Sequence, residues 1–275
     1  MTSAIYYEET QALVQTFSQE DQAYFQDLWD YFNFAGFLYE EKALKEQVYN
    51  LALDFSQASG DGLTAKDYFG QDPKGMADQI LENMPKESTR SVLKYGALVS
   101  GIVIFYRLLS DFASQAVLVL KPLVYLTDSI LGLLAVGLLF YLLRRLIFAE
   151  EKSKKAIYVA VVLVLGVYFA SEIVGVRFLP AFAWLTVPNP WDTLLMTGAS
   201  GALILWQWKD EIGRAFVFPI LAFLVVGFLH RWTLAQGIQN STMTVLLPTA
   251  VIVFGLVIYY WFTIRALKKM KAEEG

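Results

Sequence analysis

Six apolar runs, at about 92–112, 127–148, 156–174, 191–208, 213–231 and 244–264, fill most of the chain beyond residue 90. Each holds roughly 18–22 residues, the helix length that crosses a hydrocarbon core of about 30 Å. In that medium every backbone N–H and C=O must find its partner within the protein, and a helix does this within one segment. The runs predict an all-α chain in which residues 91–275 form a six-helix transmembrane bundle with the lipid bilayer as solvent.

The charges test that count independently. Residues 1–90 carry 16 acidic and 6 basic side chains, whereas 91–275 carry 10 acidic and 16 basic. With the N-terminus inside, the inner flanks hold 14 Lys and Arg, in groups around Arg90, Arg144–Lys155, Lys209–Arg214 and Arg265–Lys271. The outer side holds four: Arg107, Lys121, Arg177 and Arg231. An excess of Lys and Arg marks cytoplasmic flanks, so the expectation is a multi-pass cell-membrane protein with both termini cytoplasmic. Trp184, Trp191 and Trp232 would mark the outer interface, and Trp206, Trp208 and Trp261 the inner one. The first 30 residues are acidic and aromatic, without the basic and apolar regions of a signal peptide, so the chain is expected to start in the cytoplasm. Two segments are open. Residues 113–126 extend the second span or lie on the surface, and 178–190, with Pro180, Pro188 and Pro190, are a surface or re-entrant segment.

Residues 1–90 read as an acidic helical domain. Ser18 and Asp21 resemble a helix cap, followed by Phe25, Leu28, Trp29 and Phe32 on one face, with Gly36 as the stop. A second helix over about 40–59 aligns Leu44, Val48, Leu51 and Phe55 and ends at Gly60 and Gly62. Thr64 caps a short turn closed by Gly70. Asp72–Pro73 starts a last helix with Ala77, Ile80, Leu81 and Met84 on one face.

The run from Gly62 to Pro73 (GLTAKDYFGQDP), followed by Met76-Ala77-Asp78-Gln79-Ile80-Leu81, resembles the short-helix motif of HAAS-type domains. Such small helical domains, some loosely labelled Dps-like, precede the spans of uncharacterised bacterial polytopic membrane proteins. The resemblance covers about the first 85 residues. It implies a signalling or protein-interaction module and brings no catalytic residue. The chain has no Glu-x-x-His pair, so the Dps-like label implies no iron site here.

Several chemistries lack their residues. There is no cysteine and only one histidine, His230, which removes thiol nucleophiles and ordinary zinc or copper sites. No His-Glu-x-x-His or phosphate-binding G-x-x-x-x-G-K-[ST] sequence occurs. The acidic front end also lacks the basic footprint of a nucleic-acid binder. No catalytic set, metal site or cofactor is expected.

Two places merit a structural test. Gly198-Ala199-Ser200-Gly201 resembles the GxSG motif of rhomboid intramembrane proteases, which place that serine in the fourth of six core spans. The histidine such a serine needs is missing from the sixth span, and His230 is the one candidate base. The alternative is a small-residue patch, Gly198, Ser200 and Gly201, for close helix packing. The second place is Glu172, about 24 Å up the third span, where a carboxylate is costly unless paired. Arg107, Asp128, Arg177, His230 and Arg231 fall at similar depth, with Lys121, Asp111 and Asp192 nearby. They would form either structural ion pairs or the mouth of a pathway.

The sequence therefore predicts a non-enzymatic membrane protein, regulatory or accessory, whose residues 1–90 bind a protein partner. A small transporter using the polar cluster is the alternative, and a rhomboid-like protease a more remote one.

Overall fold

The computed structural model describes residues 2–35, 38–70, 72–178 and 185–273 and, for side chains, none of 172–178, 211 and 270–273. The described chain is almost wholly helical. In order it forms α1 (Ser3–Val14), α2 (Gln19–Ala35), α3 (Glu41–Gly60), α4 (Ala65–Phe69), α5 (Pro73–Glu82) and α6 (Thr89–Ser114). The strand β1 (Leu118–Leu120) precedes α7 (Pro122–Ile147) and α8 (Glu151–Phe178); β2 (Leu185–Val187) then leads to α9 (Trp191–Gln207) and α10 (Glu211–Ala235). A π-helical turn, Thr242–Leu246, opens into α11 (Leu247–Glu273).

Five of these helices are long and apolar enough to cross a membrane: α6, α7, α8 from Glu151 to Ser171, α10 from Ile212, and the turn-plus-α11 segment to Lys269. The chain has the helices of a multi-pass membrane protein. The fourth expected span, 191–208, is α9, whose 17 residues reach only about 25 Å. Part of 113–126 extends the second span, since α7 starts at Pro122 with proline's fixed φ suited to a first turn. Of the rest, Ala113 and Ser114 end α6 and Leu118–Leu120 form β1, which pairs antiparallel with β2, Leu118 opposite Val187 and Leu120 opposite Leu185. Residues 179–184, within the expected surface or re-entrant segment, lie outside the described residues, as does the expected stop Gly36.

Contacts divide the chain into two compact units, 1–100 with 130–175, and 101–129 with 176–275. The first contains the acidic helices. Their capping follows the local signals: the Asp67 N–H donates to Thr64 Oγ1 at 3.2 Å, and the Gly75 N–H to Asp72 Oδ1 at 2.9 Å. Gly70 ends α4 at φ +94°, a region that a side chain disfavours. The core of this unit packs Phe25, Leu28, Tyr31 and Phe32 of α2 against Val48 and Phe55 of α3 and Leu81 of α5. Ile147 and Phe148, at the end of α7, pack on the same core. Buried Asp21 joins α2 to the start of α4. Its Oδ1 accepts from the Ala65 N–H at 2.7 Å and its Oδ2 from Ser18 Oγ at 2.6 Å.

In the second unit, Leu109 and Phe112 of α6, Leu118 of β1, Met196 of α9, and Ile220 and Leu224 of α10 form the core. Helix α10 packs along α11, and Gly255 makes the approach possible, because a Cβ there would stand 2.6 Å from the Ala222 Cβ. Gly227 does the same under the Phe112 ring, where a Cβ would meet Cε1 at 2.4 Å.

Candidate functional site

Of the residues nominated for a polar cluster, Arg107 and Asp128 fall in one buried set and Arg231 in another, both in the second unit. In the first, Arg107 and Asp111 sit four residues apart on α6, one turn, so both face the same way. Arg107 Nε stands 3.8 Å from Asp111 Oδ1, and its Nη1 3.7 Å from Asp128 Oδ2 on α7. The Tyr125 hydroxyl donates to Asp111 Oδ2 at 3.0 Å, and the Gln115 amide to Asp111 Oδ1 at 3.1 Å. The side chains of Arg107, Asp111 and Asp128 are each less than a tenth exposed. Charges so buried are tolerated only when paired and hydrogen-bonded.

The second set is built on Arg231 of α10. Its Nη2 donates to Asp192 Oδ2 at 2.7 Å, and its Nη1 to the carbonyls of Phe112 and, at 3.2 Å, Gly227. The guanidinium carbon lies 3.8 Å from the Phe112 ring centre, a cation–π contact. Asp192 is fully buried in the first turn of α9 and also accepts from the Thr193 N–H at 2.6 Å. The positive end of a helix favours an acid there. The two sets touch α6 at consecutive residues, Asp111 and Phe112.

The structure thus joins Arg107 to Asp128 and, separately, Arg231 to Asp192. Among the described residues the His230 side chain joins neither set. The side chains of Glu172 and Arg177 lie outside the described residues. Ser200 is fully buried on the same face of α9 as Asp192 and Met196, and its Oγ has no hydrogen-bond partner, so no Ser200–His230 pair is formed. A Cβ added at Gly198 or Gly201 would meet nothing within 4 Å. Close helix approach within this chain occurs at Gly227 and Gly255.

A third arrangement, in the first unit, had no sequence signal. Arg144 near the end of α7 pairs with Asp78 of α5 and donates to the Tyr31 hydroxyl of α2 at 2.7 Å; that hydroxyl donates to Asp78 Oδ1 at 2.5 Å. Burial, then the Asp78 hydrogen bond, push the Tyr31 phenol up to about 12, against the opposing pull of Arg144. For Asp78, burial pulls upward but is outweighed by the Tyr31 and Lys74 hydrogen bonds and the Arg144 charge, and its carboxyl titrates below the usual range. Around this clamp the Tyr31 ring packs on Phe148 and Phe34 on Phe140, at centroid distances of 5.2 and 5.8 Å.

Among the described residues no group of three or more His, Cys, Asp or Glu is arranged to hold a metal ion. No protein-family model, curated protein or solved structure matches this chain.

Proposed function

We propose that this chain is a six-span cell-membrane protein with both termini cytoplasmic. In this reading it is a regulatory or accessory component rather than an enzyme, and residues 1–90 bind a protein partner. The observation that carries the reading is the clamp. Arg144 ties α2 and α5 of the acidic domain to the end of an apolar helix, so a partner gripping those helices also loads α7. Aromatic contacts from Phe140 and Phe148 make that tie a packed one. The HAAS-type resemblance of 62–81 points to the same class of module.

A photo-reactive residue at exposed Leu63 or Tyr68 of the full-length protein, irradiated in native membranes, tests this. A discrete adduct with one protein is expected. Absence of any adduct above the dark control from both positions would overturn it.

A second reading has its own observation. Ionisable residues buried on apolar helices commonly line a substrate or ion path, and Arg107, Asp111 and Asp128 are such residues. A small transporter would use them. Uptake or export lost on Asp128→Asn at unchanged protein abundance favours that reading, and unchanged transport removes it.

A further inference from the structure

We propose that a groove in the first unit holds one acyl chain of an ethanolamine phospholipid, with its ammonium group at Glu87. The inference is independent of the partner reading. The groove has a volume of about 490 Å³ and runs from α2 and α3 along α6 and α7. That volume lies within the range of small-molecule sites, which are mostly apolar with a few placed polar groups. Val92 and Val99 of α6 and Leu133 and Phe140 of α7 form its apolar walls. Gly96 and Gly137 lie in the same walls, and a Cβ at either would meet nothing within 4 Å. Missing side chains on both helices leave this space.

Its depth selects the occupant. From Val92, where the expected first span begins, to Val99 is about 10 Å of helix. That stays within one leaflet, half of a hydrocarbon core of about 30 Å. A transmembrane partner helix would need a groove through both leaflets, whereas an acyl chain needs only one. Both walls belong to helices apolar enough to cross a membrane, so a bilayer chain can enter from the side.

The mouth selects the headgroup. The Glu87 N–H donates to the Leu38 carbonyl at 2.8 Å, and Tyr39 bridges to Lys86, which together fix this rim. Glu87 makes no ion pair among the described residues. Its Oε1 accepts only the Ser88 N–H, leaving lone pairs for a donor. Glu41, the other acid lining the groove, already pairs with Lys45 at 2.7 Å. Lys86, which directly precedes Glu87, makes no ion pair among the described residues either. A rim with an acid beside a base complements an ammonium beside a phosphate. A primary ammonium can donate N–H bonds to Glu87, which neither choline nor glycerol headgroups can supply in that charged form.

The test is native mass spectrometry of the full-length protein in detergent. It is titrated with palmitoyl-oleoyl phosphatidylethanolamine or with the phosphatidylglycerol of the same chains. Retention of the ethanolamine lipid about fivefold above the glycerol lipid is expected, the scale of one partly exposed ion pair. Glu87→Gln should remove that preference, and Gly96→Leu with Gly137→Leu should abolish the bound lipid at an unchanged melting temperature. Equal retention of the two lipids by wild-type protein overturns the headgroup assignment. Wild-type ethanolamine-lipid binding by the folded double-leucine variant overturns the groove. Should that variant not fold, Val99→Trp fills the same space and is read in the same way.

Discussion

Arg144 donates to the Tyr31 hydroxyl at 2.7 Å while its guanidinium carbon stands 4.8 Å from the centre of the same ring, so one side chain holds α2 by both its plane and its edge. Asp78 completes the arrangement from α5. Arg144→Gln keeps a polar end but loses the charge and the fork. A cost of about 1–3 kcal/mol is expected, because hydrogen bonds to charged groups are lost at a half-buried site. Thermal melting in detergent reads the cost, and hydrogen exchange should show α5 opening first. Equal exchange in wild type and variant would mean that the clamp holds nothing.

The pH dependence of the same site follows from its sign. Asp78 titrates lower in the folded chain than its usual 3.8, so its contribution is fully present above that value and is lost as pH falls through the lowered folded one. Wild type should lose its stability advantage over Asp78→Asn in that acid window and keep it at neutral pH. Melting curves of the two proteins from pH 7 down to about 2.5 check this. A constant difference across the series would contradict it.

Arg231 and Asp192 form the more deeply buried pair. Removing one partner strands the other, at a cost of about 3–5 kcal/mol, whereas an apolar replacement of both costs far less. Arg231→Met alone should therefore melt well below wild type, and Arg231→Met with Asp192→Leu should regain most of the loss. A double variant as unstable as the single one would instead assign the stability to the contacts of Arg231 with Phe112 and Gly227.

The glycines give a steric test. Gly227→Ala drives a Cβ into the Phe112 ring, and overpacking of this kind costs about 1–3 kcal/mol. Gly198→Ala meets no atom and should be neutral, or stabilising by up to about 1 kcal/mol from helix propensity. Chemical denaturation of both variants under one condition separates the two cases.

Local signals were legible in the sequence because their physics is local. Thr64 and Asp72 cap the helices their positions announce, and the acidic domain's core uses the faces its spacing indicates. The clamp was not legible, since Tyr31, Asp78 and Arg144 lie 47, 66 and 113 residues apart in pairs and no period links them. Arg144 reads in the sequence only as a base flanking a span. Arg107, Asp128 and Arg231 stood out because charges on apolar runs are conspicuous, but their separation into two sets, with Asp111 and Asp192, depends on how α6, α7, α9 and α10 pack. Glycine in an apolar helix looks the same whether or not a neighbour approaches it. Within this chain the close approaches are at Gly227 and Gly255.

The central claim is that the acidic domain and the C-terminus share the cytoplasmic side of the membrane. The chain contains no cysteine, so single cysteines report position without background. Gln57→Cys, Gln236→Cys and Lys268→Cys occupy exposed positions in α3, after α10 and in α11. A membrane-impermeant maleimide should label Gln236→Cys on intact cells, and Gln57→Cys and Lys268→Cys only after the membrane is opened. Labelling of Gln57→Cys on intact cells would contradict the account.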